Sequence, residues 1–298
     1  MLEFGVLQPM VDYLHWLESV LVSRGVPAQH LPQSLDWLAE FFAVDMEETD
    51  AAAVVTALHR AKAQYLNADA APALSDPMMV APEPWPDSEA FEKLLLAGDR
   101  RGAESILDGC FARGQNLVDA ELHVIQPALY GIGRKWQNNQ VTVAQEHLAT
   151  AIAQSAMTRA LVKSELPSSN GRTVLLACVA GNIHSLGLQM VADAFQLAGW
   201  EVQYLGANVP TGALVEHLAR RAPDLLGLSV SFAQQLPTVR DIVSRMEQAQ
   251  GAARPAVMVG GLAINRFSRL AGALGADAWS PDARSAVASA GQLPLQPA

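Results

Sequence analysis

The stretch TVLLACVAGNIHSLG, residues 173–187, decides the fold of the second half of the chain. An apolar run over 173–179 is followed by a short loop with Gly181, Asn182 and His184, and a helical pattern opens at Leu186. An unbroken apolar run leading through a loop into a helix is the signature of a parallel strand buried on both faces. The unit repeats: EVQYLG (201–206), LLGLSVS (225–231) and AVMVGG (256–261) are further apolar runs, and ADAWS (276–280) is a weaker fifth. Helical segments over 186–197, 213–221 and 239–249 lie between them. Strand, loop and helix in repetition predict a doubly wound α/β domain over 171–298, with its ligand crevice at the carboxyl ends of the strands.

Those strand ends carry Asn182, His184 and Gly187 after the first run, Asn208 after the second, Ser229 and Ser231 on the third, and Gly260 and Gly261 after the fourth. A loop imidazole can face a ligand. Two serines in alternate positions are expected on one side of the third strand, and paired glycines let a backbone or a flat ligand pass closely. Each has an ordinary explanation alone: a loop histidine is commonly a surface residue, Ser-x-Ser is frequent, and Gly-Gly is a turn. Their recurrence at successive strand ends is what marks one rim.

Upstream the periodicity is helical. Met10, Leu14, Leu17, Leu21 and Val22 mark one apolar face, Leu35, Leu38, Phe41 and Phe42 another, and 50–66 is an alanine-rich third segment, which predicts a helical N-terminal unit over 1–67. The five-proline segment 68–86 reads as a linker. From Asp87 the helical pattern resumes with Ser88 as a candidate N-cap. Gly98, Gly114 with Asn116, and Gly131 with Gly133 punctuate it into about four helices, a four-helix bundle over 87–166. PSSNG, 167–171, is a second linker.

The chain of 298 residues is half hydrophobic and 17% charged, a globular composition. No apolar run approaches the roughly 18 residues of a membrane span, and the first residues lack the pattern of a signal peptide, so a cytoplasmic, non-membrane protein is expected. Cys110 and Cys178 are far apart and form no CxxC, which excludes a cysteine zinc motif. Net charge is -10, and residues 1–85 hold 12 acids against Arg24, Arg60 and Lys62, or -9. Phosphate backbones are bound through Lys and Arg, so direct nucleic-acid binding is not expected of this segment.

NIHSLG (182–187), SVS (229–231) and GG (260–261) together resemble the DxHxxG, SxL and GG signature of cobalamin-binding flavodoxin-like domains. The resemblance implies a bound cobalamin with His184 as lower cobalt ligand, Ser229 and Ser231 as contacts of its nucleotide tail, and Gly260 and Gly261 as the floor beneath that tail. Asn182 stands where the family has the Asp that bonds the far nitrogen of the ligating histidine, and Ser231 stands where Leu is usual; weaker tuning at cobalt is the expected consequence. In the bundle, Trp136 followed after nine residues by Glu146 and His147 resembles the light-sensing, adenosylcobalamin-dependent transcriptional regulators. Without its companions that spacing is unremarkable, since a bundle tryptophan is usually core and Glu-His usually a solvated face.

The resemblance covers about residues 88–285 and implies a mechanism. Trp136 and Glu146 flank the adenosyl group in the dark; light breaks the cobalt–carbon bond, and His147 becomes the upper cobalt ligand. Adenosylcobalamin is the expected form and methylcobalamin the alternative. The regulators usually carry a basic helix-turn-helix domain, which the acidic N-terminal segment does not resemble, so output through a protein partner or a homo-oligomer is expected of a sensor rather than an enzyme. The main rival is a corrinoid methyl carrier of a methyltransferase system, followed by a cobalamin store and by an interaction module that has lost its cofactor.

Overall fold

A computed structural model describes residues 7–67, 82–268 and 270–294. The chain divides into two compact units, one of Met1–Asp76 with Tyr130–His147 and the other of Pro77–Leu129 with Leu148–Ala298. Among the described residues no helix is long and apolar enough to cross a membrane.

The first unit is built on α1 (Gln8–Val22), α2 (His30–Asp45) and α3 (Glu48–Asn67). Its core joins Val11 and Leu14 of α1, Leu31, Leu35 and Ala39 of α2, and Leu58, Ala61 and Tyr65 of α3. Spacing of four residues puts the α2 trio on one helix face. Lys62 closes onto Asp36 at 2.6 Å across α2 and α3. The expected apolar faces need correcting: Leu38 and Phe41 are exposed, as is Val22 at the end of α1; at 100° per residue Phe41 lies about 120° from Leu35, and Leu38 falls at the edge of the face that Leu31 and Leu35 bury.

Four helices make up the bundle: α4 (Asp87–Leu96) and α5 (Arg100–Ala112) belong to the second unit, whereas a composite third helix and α8 (Val143–Lys163) are each divided between the two units, at Tyr130 and at Leu148. The third helix runs through α6 (Leu117–Ala120), a π-helical turn (Glu121–Ile125) and α7 (Gln126–Gln137). Gly98 and Gly114, both at positive φ, end α4 and α5, and Asp99 and Asn116 cap the helices that follow. Two readings are corrected. Ser88 is no cap: it is buried and its hydroxyl donates to the Val124 carbonyl at 3.0 Å. Gly131 and Gly133 lie inside α7, and the turn comes at Asn139, with φ of 56°. Of the segment read as a linker, 68–81 lies outside the described residues; in the rest, Trp85 stacks on His123 with ring centroids 4.8 Å apart.

The sheet of the second unit is fully parallel. β1 (Thr173–Val179), β2 (Glu201–Val209), β3 (Leu225–Ser229), β4 (Ala256–Gly260) and β5 (Ala278–Trp279) stand in the order β2-β1-β3-β4-β5, the flavodoxin-like arrangement. Val174 to Val179 of the central strand are essentially inaccessible, which is why they carry no polar alternation. α9 (Leu186–Leu197) and α14 (Ala283–Ala290) cover one face through Leu188, Phe195, Ala286 and Ala290. α10 (Thr211–Arg220) and α11 (Leu236–Gln250) add Leu214, Val239, Ile242 and Met246 to the buried core. The strand order reverses direction between β1 and β3, so the loops that leave these two strands flank the crevice where such sheets take ligands.

The sheet also fixes a packing constraint. A Cβ on Gly227 would come within 2.4 Å of Leu176 Cδ2 across β1 and β3. Gly227→Ala is therefore expected to lower stability by about 1–3 kcal/mol through overpacking. Combining it with Leu176→Ala, which removes the clashing methyl, should cost less than the sum of the two single losses. Denaturant midpoints of the four proteins measure this, and strict additivity would refute the contact.

Candidate functional site

The loop after β1 is built around one buried amide. Asn182 is fully buried; its Nδ2 donates to the Ser229 carbonyl at 2.9 Å, and its Oδ1 accepts the His184 backbone N–H at 3.1 Å. The second bond closes an Asx-turn that sets the loop just ahead of the imidazole. Asn208, in the left-handed region at φ 52°, accepts the Gly181 N–H at 2.7 Å and donates its own N–H to the Asn182 carbonyl at 2.9 Å. The Tyr204 hydroxyl donates to the Ser185 carbonyl at 3.1 Å, tying the loop to β2. On this braced segment the His184 side chain stands exposed, its ring 5.3 Å from Phe232 and tilted by 68°.

The third strand stops at Ser229, so the expectation of two serines alternating on one strand face is corrected. Ser229 is buried with its hydroxyl beside Cys178 and Asn182, while Ser231 lies past the strand with its N–H donating to Gln235 Oε1 at 3.0 Å. Gln235 also accepts from the Phe232 N–H at 3.1 Å and so pins both loop residues beside the histidine. Burial pushes the Cys178 thiol up to about 11, which leaves it an inert core group.

Three glycines behave differently. Gly261, at φ 95°, would drive a Cβ to 2.5 Å from the Val230 carbonyl oxygen, so no other residue fits there. Gly260 faces the Ser280 carbonyl oxygen, 3.1 Å from where its Cβ would stand. A Cβ on Gly187 would meet nothing within 4 Å: space is open above the first turn of α9. Among the described residues no group of three or more His, Cys, Asp or Glu is arranged to hold a metal ion.

Trp136, Glu146 and His147 belong to the first unit. Trp136 sits under Arg24, whose guanidinium carbon is 5.0 Å from the ring centroid, and 6.4 Å from the Trp16 ring. Arg24 donates to the Trp136 carbonyl at 3.1 Å, Ser23 to the Gln137 carbonyl at 2.8 Å, and Gln137 Nε2 to Ser19 Oγ at 2.6 Å. The end of α1 thus clamps the end of α7. Thr142 and Gln145 form a capping box, Gln145 N–H to Thr142 Oγ1 at 3.2 Å and Thr142 N–H to Gln145 Oε1 at 3.0 Å. That box places Glu146 in the first turn of α8, where a carboxylate complements the helix dipole. Glu146 Oε2 meets His147 Nδ1 at 2.5 Å, and His147 is strongly exposed.

A feature that sequence reasoning missed lies behind α9. Glu121, on the π-helical turn, is fully buried, and Asp193 of α9 is nearly so. Both Glu121 oxygens and Asp193 Oδ2 lack any N–H or hydroxyl donor among the described residues, so a proton shared between the two carboxyls is the bond open to them. Burial, then the Asp193 charge, holds Glu121 well above its usual range, and burial raises Asp193 to about 6. A π-turn is a common mark of a specialised site, but no sequence signal joins residues so far apart. The T-x-x-Q capping box at 142–145, in contrast, was readable.

Residues 172–288 match a family model described as B12 binding domain, and residues 88–160 match a second one described in the same words. The HTH-type transcriptional repressor CarH of Myxococcus xanthus is 29% identical over 182 residues, 60% of this chain and 60% of that protein, so the chain spans about three fifths of that relative. The dimethylamine corrinoid protein 3 of Methanosarcina acetivorans is 30% identical over 149 residues, 48% of this chain and 69% of that one. The solved monomethylamine corrinoid protein of Methanosarcina barkeri superposes with a TM-score of 0.58 at 19% identity, covering 70% of this chain and 98% of that one, a likeness of fold. Residues 1–87 lie outside both matched ranges.

Two outcomes follow from the geometry. Because their carboxyl pKa values are raised on folding, Glu121 and Asp193 bind protons in the folded protein that the unfolded chain has released. Their contribution favours the fold below about pH 4, the ordinary carboxyl range, and is lost as pH rises through the folded values, about 6 for Asp193 and well above the usual carboxyl range for Glu121. Glu121→Gln, which offers Asp193 a neutral donor, should raise stability at pH 8 by about 1–2 kcal/mol and flatten this part of the pH dependence, read from unfolding midpoints between pH 5 and 8. Arg24→Ala removes the ring contact and its carbonyl bonds, worth about 1–2 kcal/mol locally. Hydrogen exchange should quicken at the 138–140 turn, with α2 and α3 amides unchanged.

Proposed function

The chain belongs to the family of B12-binding domain proteins, and we propose that it binds cobalamin and acts as a light sensor, a non-catalytic switch, whose output passes to a protein partner or to self-association. The observation that carries the sensor reading is the pairing of Glu146 with His147: a carboxylate on Nδ1 orients the ring and leaves Nε2 as the ligating nitrogen. A methyl carrier has no need of a second poised imidazole.

His184, presented by the Asn182 turn, would be the cobalt ligand of the α/β domain. Ser229 and Ser231, with Gly260 and Gly261, would line the nucleotide tail, and Gly187, where a Cβ would meet nothing within 4 Å, would leave the approach to α9 clear. Trp136 gives an aromatic wall and Glu146 an acceptor for ribose hydroxyls. When bound, adenosylcobalamin supplies a cobalt–carbon bond that light cleaves. His147, held at Nδ1 by Glu146, would then offer its Nε2 to the cobalt. The signal leaves through domain packing. Residues 1–67 act as the output unit, joined by the 68–86 linker to the 87–166 bundle as the cap, with 171–298 as the cobalamin domain. The likeness to the dimethylamine corrinoid protein supports a second reading, a corrinoid methyl carrier.

Absorbance spectra of the protein loaded with adenosylcobalamin, taken in the dark and after green light, decide between them. The sensor reading expects a shift to a bis-imidazole cobalt(III) spectrum that is lost in His147→Ala. It also expects poorer retention of cobalamin after light in His184→Ala. Photolysis to aquocobalamin alone, equal in wild type and His147→Ala, supports the carrier, and absence of bound cobalamin defeats both.

A further inference from the structure

The second helix of the N-terminal unit carries an apolar stripe that its own core does not use. Leu31, Leu35 and Ala39 are buried, with Phe42 packed against them, whereas Trp37, Phe41 and Val44 are 58%, 56% and 89% exposed. At 100° per residue, Trp37, Phe41 and Val44 fall within about 60° of one another, on the side of α2 away from Leu35. Leu38, 43% exposed, widens the stripe, and Phe41 meets Phe42 edge-on at 5.4 Å. Isolated exposed apolar residues are ordinary, but a Trp and a Phe one turn apart with two aliphatic neighbours make the kind of anchor that dominates binding at interfaces.

The rim of the stripe has one sign of charge. Glu40 lies along one edge and Asp45 along the other, and Glu47, Glu48 and Asp50 follow at its C-terminal end, all exposed. Two of the three cations of residues 1–85 are engaged elsewhere, Arg24 at Trp136 and Lys62 with Asp36, which leaves Arg60 of α3 against these five acids. A second copy docking on the same face would bring acid against acid, and an anionic lipid surface would be repelled. An occupant that satisfies both the stripe and its rim is apolar along one face and basic beside it.

We propose that the Trp37–Phe41–Val44 face of α2 is a docking surface for a basic amphipathic helix of a protein partner, bound by its apolar face with Lys or Arg reaching Glu40 and Asp45. This is the helix-in-groove mode of recognition, with the aromatic pair as the energetic centre and the acids setting the choice of partner. The inference goes beyond the cobalamin reading and does not rest on it, since the surface is complete without any cofactor.

The test is a display selection on the full chain, without cobalamin. The library is a set of 20-residue amphipathic helices with a constant apolar stripe and flanking positions free among Lys, Arg, Glu, Gln and Ser, counter-selected on Phe41→Ser. All substitutions are at exposed positions, and circular dichroism confirms that each variant folds. The expected result is recovery of helices rich in Lys and Arg. These bind the wild type at least tenfold more tightly than their Lys→Glu counterparts, weaken as salt rises, and lose about tenfold on Trp37→Ala or on Glu40→Gln with Asp45→Asn. Recovery of neutral or acidic helices, or of none, overturns the proposal. So does sedimentation showing a wild-type dimer abolished by Phe41→Ser, which makes the occupant a second copy. Binding to phosphatidylglycerol vesicles that depends on Trp37 would overturn it in favour of a lipid surface.

Discussion

One buried primary amide orders the rim of the α/β domain. Asn182 has to offer a donor to the Ser229 carbonyl and an acceptor to the His184 N–H at the same time, and an amide is the side chain that does both without a proton to gain or lose. A carboxylate at this position would set an oxygen against the Ser229 carbonyl, acceptor against acceptor, in a site closed to water. The departure from the aspartate of the family signature is thus matched by its surroundings. Through this residue the end of β3 and the loop after β1 are held as one piece, and the imidazole of His184 is presented from it. Gln235 does the parallel task on the other side of the crevice by taking the N–H groups of Ser231 and Phe232.

The two histidines of interest are tuned by different chemistry. The side-chain oxygen of Asn182 is committed to backbone, whereas His147 carries a carboxylate on its ring nitrogen. Charge is placed where a capped helix start can stabilise it, since Glu146 stands in the first turn of α8 behind the Thr142–Gln145 box. The Glu121 and Asp193 pair is the opposite case, two acids taken out of water against each other on a π-turn and on α9. Such a pair opposes folding at neutral pH, which sets it apart from the satisfied polar groups around it.

The N-terminal helices acquire two physical tasks from their placement. The end of α1 and the two residues after it grip Trp136 and Gln137 through a guanidinium over the indole ring, bonds from Arg24 and Ser23 to the two backbone carbonyls, and a bond from Gln137 Nε2 to Ser19. The outer face of α2 shows solvent an aromatic stripe with an acidic border. An acidic segment that uses Arg24 for internal contact has little positive charge left to present.

Local pattern determined much of this. The unbroken apolar runs at 173–179, 225–229 and 256–260 announced a parallel sheet, because a strand covered on both faces cannot alternate. His184, Gly260 and Gly261 were legible because loops at strand ends are short and their order follows the chain. Where the sequence misled, the signal was one of degree: Leu38 and Phe41 are as apolar as Leu35, and hydrophobicity does not say which side of a helix meets a neighbour. Gly131 and Gly133 read as a break, yet helix packing kept them inside α7. The rest required distant residues to meet. Asn182 with Ser229, Arg24 with Trp136 and Glu121 with Asp193 are joined by packing of elements far apart in the chain, and neither periodicity nor spacing carries information about which polar groups will be buried together.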